Sequence, residues 1–245
     1  DALLSSGEPG QQLTWMDAKV DGRVVTPRAG KPVEIQALWH NALRTVALYA
    51  ADLGAAFTAA RLLALADQAR ESFSALFWDE KAGYLADVVA PDGTRDLSLR
   101  PNQLFALSLH RPLVTGKRAE RALLAIEERL LTPYGLRTLD PAHPDYRGRF
   151  EGGPAERDAA YHQGSAWPWL LGPFVDAHLA VRGNRPESRR RASAWLAPLL
   201  DHLLGPGLGQ LPEVFDGDPP HRAGGCVAQA WSVGEVLRAV LKTGT

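Results

Sequence analysis

The chain has 245 residues, of which 45% are hydrophobic and 22% charged, ordinary globular values that exclude disordered and fibrous classes. Lys and Arg number 27 against 28 Asp and Glu, so no cationic surplus exists to neutralise a phosphate backbone or an anionic bilayer, and neither nucleic acid nor membrane is the expected partner. No apolar run approaches the roughly 18 residues of a spanning helix. The one cysteine, Cys226, excludes a disulfide within the chain and favours a reducing compartment. The chain opens on Asp1 rather than Met, which predicts a piece of a longer protein.

Helical periodicity dominates from there on. After a lead-in of 32 residues, apolar positions recur at 3.6-residue spacing over 33–53, on Ile35, Leu38, Trp39, Ala42, Leu43, Val46, Ala50 and Leu53. The same pattern predicts helices over 57–78, 101–110 and 117–131, that over 101–110 opening on Pro101. It also predicts 165–182, where Pro173 should bend the helix or shift its start. Helices over 187–204, with a possible kink at Pro198, and over 226–242 close the series. Short extended pieces are expected inside loops at 84–89, 135–139 and 209–214.

The connections between successive helices run about 3, 22, 6, 33, 4 and 21 residues, short and long in alternation. In an up-and-down array this puts every long connection at one end. These loops are rich in Gly, Pro, Trp, Tyr and His, so they read as ordered and functional. The odd-numbered helices carry 8 charged residues in 66 positions and the even-numbered ones 16 in 55. Sparse charge suits a helix covered all round and dense charge one that faces water. The expectation is an all-α toroid of helical hairpins in two concentric layers, with long loops at one rim. A superhelical solenoid would alternate similarly, but no motif repeats at fixed period.

No CxxC pair, HExxH, phosphate-binding Gly loop or GxSxG elbow occurs, and the seven histidines lack ligand spacing, so neither metal nor cofactor is invoked. Cys226, placed at the start of a predicted inner helix, reads as a small buried residue or as a dipole-activated thiol. What remains is carboxylates among aromatics and amides: Gln12-Leu-Thr-Trp15-Met-Asp17-Ala-Lys19; Arg100-Pro-Asn102-Gln103; Arg157-Asp158-Ala-Ala-Tyr161-His162-Gln163, followed by Trp167-Pro-Trp169; and Leu211-Pro-Glu213-Val-Phe215-Asp216-Gly-Asp218. Singly, Asp158, Asp216 and Asp218 fit caps or turns. Collectively, Trp15, Trp167 and Trp169 beside the rim suit platforms for the apolar face of a pyranose, flanked by polar groups for its hydroxyls. Two carboxyl groups across such a subsite would serve glycoside hydrolysis.

At these residues the chain resembles a known family. Leu13-Thr-Trp-Met-Asp-Ala-Lys19, Thr26-Pro-Arg28, Gly30-Lys-Pro-Val-Glu-Ile-Gln-Ala-Leu-Trp39, Arg100-Pro-Asn-Gln103, Thr132-Pro-Tyr-Gly-Leu-Arg-Thr-Leu139, Ala160-Tyr-His-Gln-Gly164, Trp167-Pro-Trp-Leu-Leu-Gly-Pro-Phe174, Phe215-Asp-Gly-Asp-Pro-Pro-His221 and Gly225-Cys-Val-Ala-Gln-Ala-Trp-Ser232 are similar to the C-terminal amylo-α-1,6-glucosidase domain of glycogen debranching enzymes, from about Glu8 to Ala239. The resemblance implies an (α/α)6 barrel of twelve helices and metal-free, inverting hydrolysis of the α-1,6-linked glucose at a branch point of glycogen or branched glucan. It implies Asp17 as general acid and Glu213 as general base. Trp15, Lys19, Glu34, Arg100, Asn102, Gln103, Tyr161, His162, Gln163, Trp167 and Trp231 would line the subsite. Burial against Trp15 would keep Asp17 protonated while Glu213 stays ionised in a polar turn. His40, Ser165 and Pro212 depart from the family's usual residues.

Only seven helices are predicted, about five short of twelve. The whole chain, 1–245, is therefore expected to be one catalytic-domain fragment, an incomplete barrel lacking its N-terminal helices. Its broken edge would be covered by the rest of its own chain or by a neighbouring copy. Glycogen as substrate agrees with a cytoplasmic setting. The competing expectations are a related barrel glucosidase acting on trehalose or another small glucoside, a non-catalytic glucan-binding module, and a helical interaction scaffold whose loop aromatics are mere packing.

Overall fold

A computed structural model describes residues 1–8, 10, 11 and 13–244. It contains eight α-helices among the described residues, one more than the periodicity predicts: α1 Val33–Asp52, α2 Ala56–Phe77, α3 Leu104–Ser108, α4 Gly116–Leu130, α5 Pro154–Tyr161, α6 Leu171–Arg182, α7 Pro186–Leu204 and α8 Ala230–Thr243. The extra helix is α5, inside the longest predicted loop. Pro154 opens it and Glu156 sits in its first turn, both favourable at a helix N-terminus.

Two predicted helices start later than their periodicity. Pro101–Gln103 is a 3₁₀ turn before α3, and Pro168–Leu170 another before α6, so Pro173 falls in the first turn of α6, where its missing N–H costs nothing. The last helix begins at Ala230, because Glu213 and Cys226 pair through their main chains and the Gln229 N–H is given to the Leu211 carbonyl. Cys226 is exposed and precedes the helix, which corrects both readings of it as a helix-start residue. Pro198 lies inside α7, which is continuous through it.

The helices form two layers. An inner row runs α1, α3, α6, α8, each packed on the next, with α2 against α1, α4 against α6, and α7 against α6 and α8. Charge density separates them as expected: α4 buries Ala119, Ala122, Leu123, Ile126 and Leu130 along one stripe, whereas α6 is buried nearly all round through Leu171, Phe174, Val175, Ala177 and Leu179. The two ends of the inner row break the rule. On α1, Val46 and Tyr49 are 50% and 63% exposed, and on α8, Leu237 and Leu241 are 56% and 74% exposed, so these charge-poor helices are not covered all round.

The long connections do share one end, where short antiparallel sheets knit them together. Ala223–Gly224, Val214–Phe215, Ala166–Trp167, Gly135–Arg137 and Leu131–Thr132 make one sheet in that order. Lys31–Pro32, Val88–Val89 and Arg95–Asp96 make a second, joining the lead-in to the α2–α3 connection. The extended pieces expected inside loops are strands in part: Val88–Val89 and Gly135–Arg137 belong to these sheets, Tyr84–Leu85 pairs with Trp78–Asp79 in a separate two-stranded sheet, and of 209–214 only the last residue is in a strand.

Candidate active site

In the larger sheet Ala166 pairs with Phe215, which sets the strand of Trp167 beside the strand that follows Glu213. Tyr161 and His162 end α5, and the chain then turns through Gly164 at φ +153°. A Cβ there would collide with the Arg147 carbonyl, so only glycine allows the turn. On the opposite side, Lys19–Val20 and Arg23–Val24 form a hairpin that rests on α5. This brings the loop of Trp15 and Asp17 to Tyr161.

Trp15 is the hub. Its half-buried indole meets His162, Trp167 and Trp169 edge-on, at centroid distances of 5.1, 5.4 and 5.0 Å, and Trp231 at 6.2 Å. Trp231 lies flat on Trp169 at 3.9 Å and is 43% exposed. Trp167 and Trp169, expected as open platforms, are buried to within 4% and 2%. They buttress Trp15 and Trp231, and the aromatic surface left for a ligand belongs to those two.

Glu213 is the most firmly held acid of the site. Its Oε1 accepts hydrogen bonds from the Tyr161 hydroxyl at 2.6 Å and the Gln229 amide at 3.0 Å, and its Oε2 accepts one from the Cys226 N–H at 3.0 Å. The Tyr161 phenol is raised above its ordinary range by burial first, then by the hydrogen bond to Glu213 and that residue's charge, and then by the charges of Asp17 and Asp158. One tyrosine thus feels both sequence-predicted acids. Asp17 itself is exposed, so the burial against Trp15 expected for it is absent.

Beneath the aromatics lies a buried ionic network. Arg28 donates to Asp87 through Nε at 2.8 Å and grips both oxygens of Glu34, one of them at 2.6 Å. Burial would depress the Arg28 guanidinium, but the two carboxylates outweigh it and raise it. Asp87 accepts from the Asn102 amide at 2.8 Å, which turns the Asn102 oxygen to the Trp15 indole N–H, also at 2.8 Å. Arg100 donates to the Thr138 and His162 carbonyls and to Gln163 Oε1, at 3.1, 2.7 and 2.6 Å. His162, fully buried, is lowered to about 3 by burial first and by Arg100 and Arg28 second. It is a neutral ring at physiological pH and supplies shape rather than a proton.

Of the predicted residues, Trp15, Tyr161, His162, Trp167, Trp231 and Glu213 meet in one aromatic-acidic cluster. Glu34, Arg100, Asn102 and Gln163 lie in its supporting network. Gln103 accepts from the Leu85 N–H and Lys19 donates to the Gly10 carbonyl, so neither bonds within the cluster; Gln12 lies outside the described residues. Arg28, Asp87 and Gln229 are the members that sequence reasoning passed over. A cavity of about 540 Å³ lies behind Glu213, lined by His202, Pro206, Leu208, Pro212, Gly225 and Val227, and contains neither Trp15 nor Asp17. Among the described residues no group of His, Cys, Asp and Glu is arranged to hold a metal, and no helix is long and apolar enough to cross a membrane.

Layered helices that carry acids and aromatics on loops at one end place the chain among the helical-hairpin folds. Solved structures agree on the fold. The neutral trehalase Nth1 from Saccharomyces cerevisiae superposes with a TM-score of 0.65 at 15% identity, over 86% of this chain and 38% of that one. The GH63 mannosylglycerate hydrolase from Thermus thermophilus does so at 0.58 and 16% identity, over 86% and 46%. The chain belongs to the amylo-α-1,6-glucosidase family, which matches residues 1–238. It is similar to the glycogen debranching enzyme of Saccharomyces cerevisiae, 38% identical over 88 residues, which are 34% of this chain and 6% of that protein. It is also similar to a periplasmic trehalase of Xanthomonas axonopodis pv. citri, 33% identical over 142 residues, 56% of this chain and 24% of the trehalase. The chain therefore spans a quarter or less of these curated relatives.

Proposed function

We propose that the chain carries the acid/base pair of an inverting glucosidase that releases glucose from α-1,6 branch points of glycogen or limit dextrin. Asp17 is the general acid and Glu213 the general base. The observation that carries this reading is Tyr161, which donates to Glu213 and is raised in part by the charge of Asp17. Tyr161 packs on His162 and Trp167, the rings that Trp15 meets edge-on, so Glu213 and the loop of Asp17 share one aromatic cluster. In an inverting reaction the two carboxyl groups stand about 6.5–9.5 Å apart with a water between them, a separation suited to acids on different loops.

The exposed apolar positions of α1 and α8 support a second part of the proposal. The inner row continues in the full-length protein, and its next helices cover Val46 and Tyr49 at one end and Leu237 and Leu241 at the other. The test is an assay of glucose release from branched limit dextrin and from trehalose, by this chain and by the full-length protein. Release from dextrin by the full-length protein alone supports both parts, and equal turnover by the two ends the idea of a fragment. A strong preference for trehalose favours the second reading, for which the similarity to a trehalase speaks. Glucan binding without any glucose release defines a non-catalytic module.

A further inference from the structure

The hydrogen bonds around Glu213 treat its two oxygens unequally. A carboxylate oxygen offers about two lone-pair sites. Oε1 receives two donors, the Tyr161 hydroxyl and the Gln229 amide, and is filled. Oε2 receives one, the Cys226 N–H. Gly225 stands against Oε2, at φ +70°, where any Cβ would overlap that oxygen, so the space beside it is kept open by the absence of a side chain.

Gln229 occupies the N-cap position of α8, from which a side chain can turn back to bond the helix's free N–H groups. Its side chain makes no such bond and reaches instead to Glu213, while its main-chain N–H goes to Leu211.

We propose that Gln229 is a positioning residue: with Tyr161 it saturates Oε1 and so makes Oε2 the atom of Glu213 that takes the proton from the attacking water. The inference rests on the assignment of Glu213 as general base. In the step it serves, the water proton passes to Oε2 and the water oxygen bonds to the anomeric carbon. The glycosidic oxygen leaves with the proton of Asp17, so charge and atoms balance.

The test compares Gln229→Met, Gln229→Glu and Glu213→Gln in the full-length protein, measuring kcat, KM and the pH profile of kcat/KM on limit dextrin. Gln229→Met keeps the length but removes both donors. It should lower kcat by about 10–100-fold with KM changed less than about 3-fold, because the base is present but loosely aimed. Losing a donor disfavours the ionised carboxylate, so the acidic limb of kcat/KM moves to higher pH. Gln229→Glu places a like charge beside Glu213 and should move that limb further in the same direction. Both limbs staying within about 0.2 pH units of the parent, with Glu213→Gln inactive, overturns the role of Gln229 and leaves the base assignment standing. A Glu213→Gln protein with parental rates and an unshifted limb overturns the base assignment, and this proposal with it.

Discussion

The two acids sit in opposite surroundings. Glu213 immediately precedes the strand Val214–Phe215, takes three hydrogen bonds and is fixed at both oxygens. Asp17 is exposed, on a loop before a two-residue hairpin, and makes no hydrogen bond among the described residues. What anchors that loop is Trp15, two residues earlier, through Asn102, Asp87 and Arg28. The difference fits the two tasks proposed for them. A base that directs a water must be aimed in advance, whereas an acid meets the leaving oxygen only when substrate is present to bury it. One side is preorganised through the acid itself and the other through its neighbour.

The largest effect expected is the loss of either acid. Asp17→Asn and Glu213→Gln in the full-length protein should each slow glucose release by about 10²–10⁴-fold or more. They should separate in degree: both should move the Tyr161 phenol, followed by ultraviolet absorbance, down towards its ordinary range, and Glu213→Gln further, because it removes a hydrogen bond and the stronger of the two charges whereas Asp17→Asn removes only the weaker charge. An Asp17→Asn protein with near-normal turnover would assign the acid elsewhere and remove the contrast.

The Asp17 side should instead be broken from below. Arg28→Ala leaves Glu34 and Asp87 buried and uncompensated, at a cost of about 3–5 kcal/mol. Thermal unfolding should show the loss. Glu213→Gln, which puts an NH2 where a carboxylate oxygen accepts a hydrogen bond, should cost less, on the order of 1–3 kcal/mol.

Much of this contrast was legible in the sequence, and its omissions have physical causes. Trp15 and Tyr161 stand out because aromatic residues packed into Gly- and Pro-rich loops have little reason to be there otherwise, whereas Glu213 is singled out from the other acids of its turn only by the family resemblance. The Asp87 signal was present but weaker. Leu85-Ala-Asp87-Val-Val is an apolar strand with one acid in it, and a buried acid requires a partner, yet the partner, Arg28, lies in another connection. Helix α5 was hidden by the density of Gly and Pro around it, although Gly153-Pro154-Ala-Glu156 is a legitimate helix start. Periodicity carried the last helix back to Cys226, where pairing with Glu213 overrides it. Local pattern identified the layers, but a hydrogen bond between distant loops has no local pattern.

The supporting layer should also respond to acid. His162 titrates near 3 in the folded chain against 6.5 when unfolded, so between those values the unfolded state binds the extra proton. The stability this ring contributes is full above about pH 6.5 and falls as pH drops towards 3. By pH 5 the loss is about 2 kcal/mol relative to pH 7.5. His162→Phe, which keeps a ring stacked on Trp167, should flatten that part of the pH dependence in denaturant titrations. His40, His178 and His202 are also lowered by burial and will leave a residual slope, so only the difference between the two proteins bears on His162.

The smallest effect expected is that of Lys19→Ala, which sharpens the boundary of the Asp17 side. Family resemblance places Lys19 in the subsite, two residues beyond the acid, but its ammonium is exposed and donates to the Gly10 carbonyl. An exposed hydrogen bond of this kind contributes little, on the order of 1 kcal/mol or less. If the hairpin matters only for resting on α5, the variant should retain turnover and KM within about 2-fold. A rise in KM of about 10-fold or more with kcat unchanged would mean that the ammonium swings from Gly10 to a sugar hydroxyl once substrate arrives. The loop carrying Asp17 would then close over the ligand, and the acid would acquire its buried surroundings in the complex rather than in the free chain.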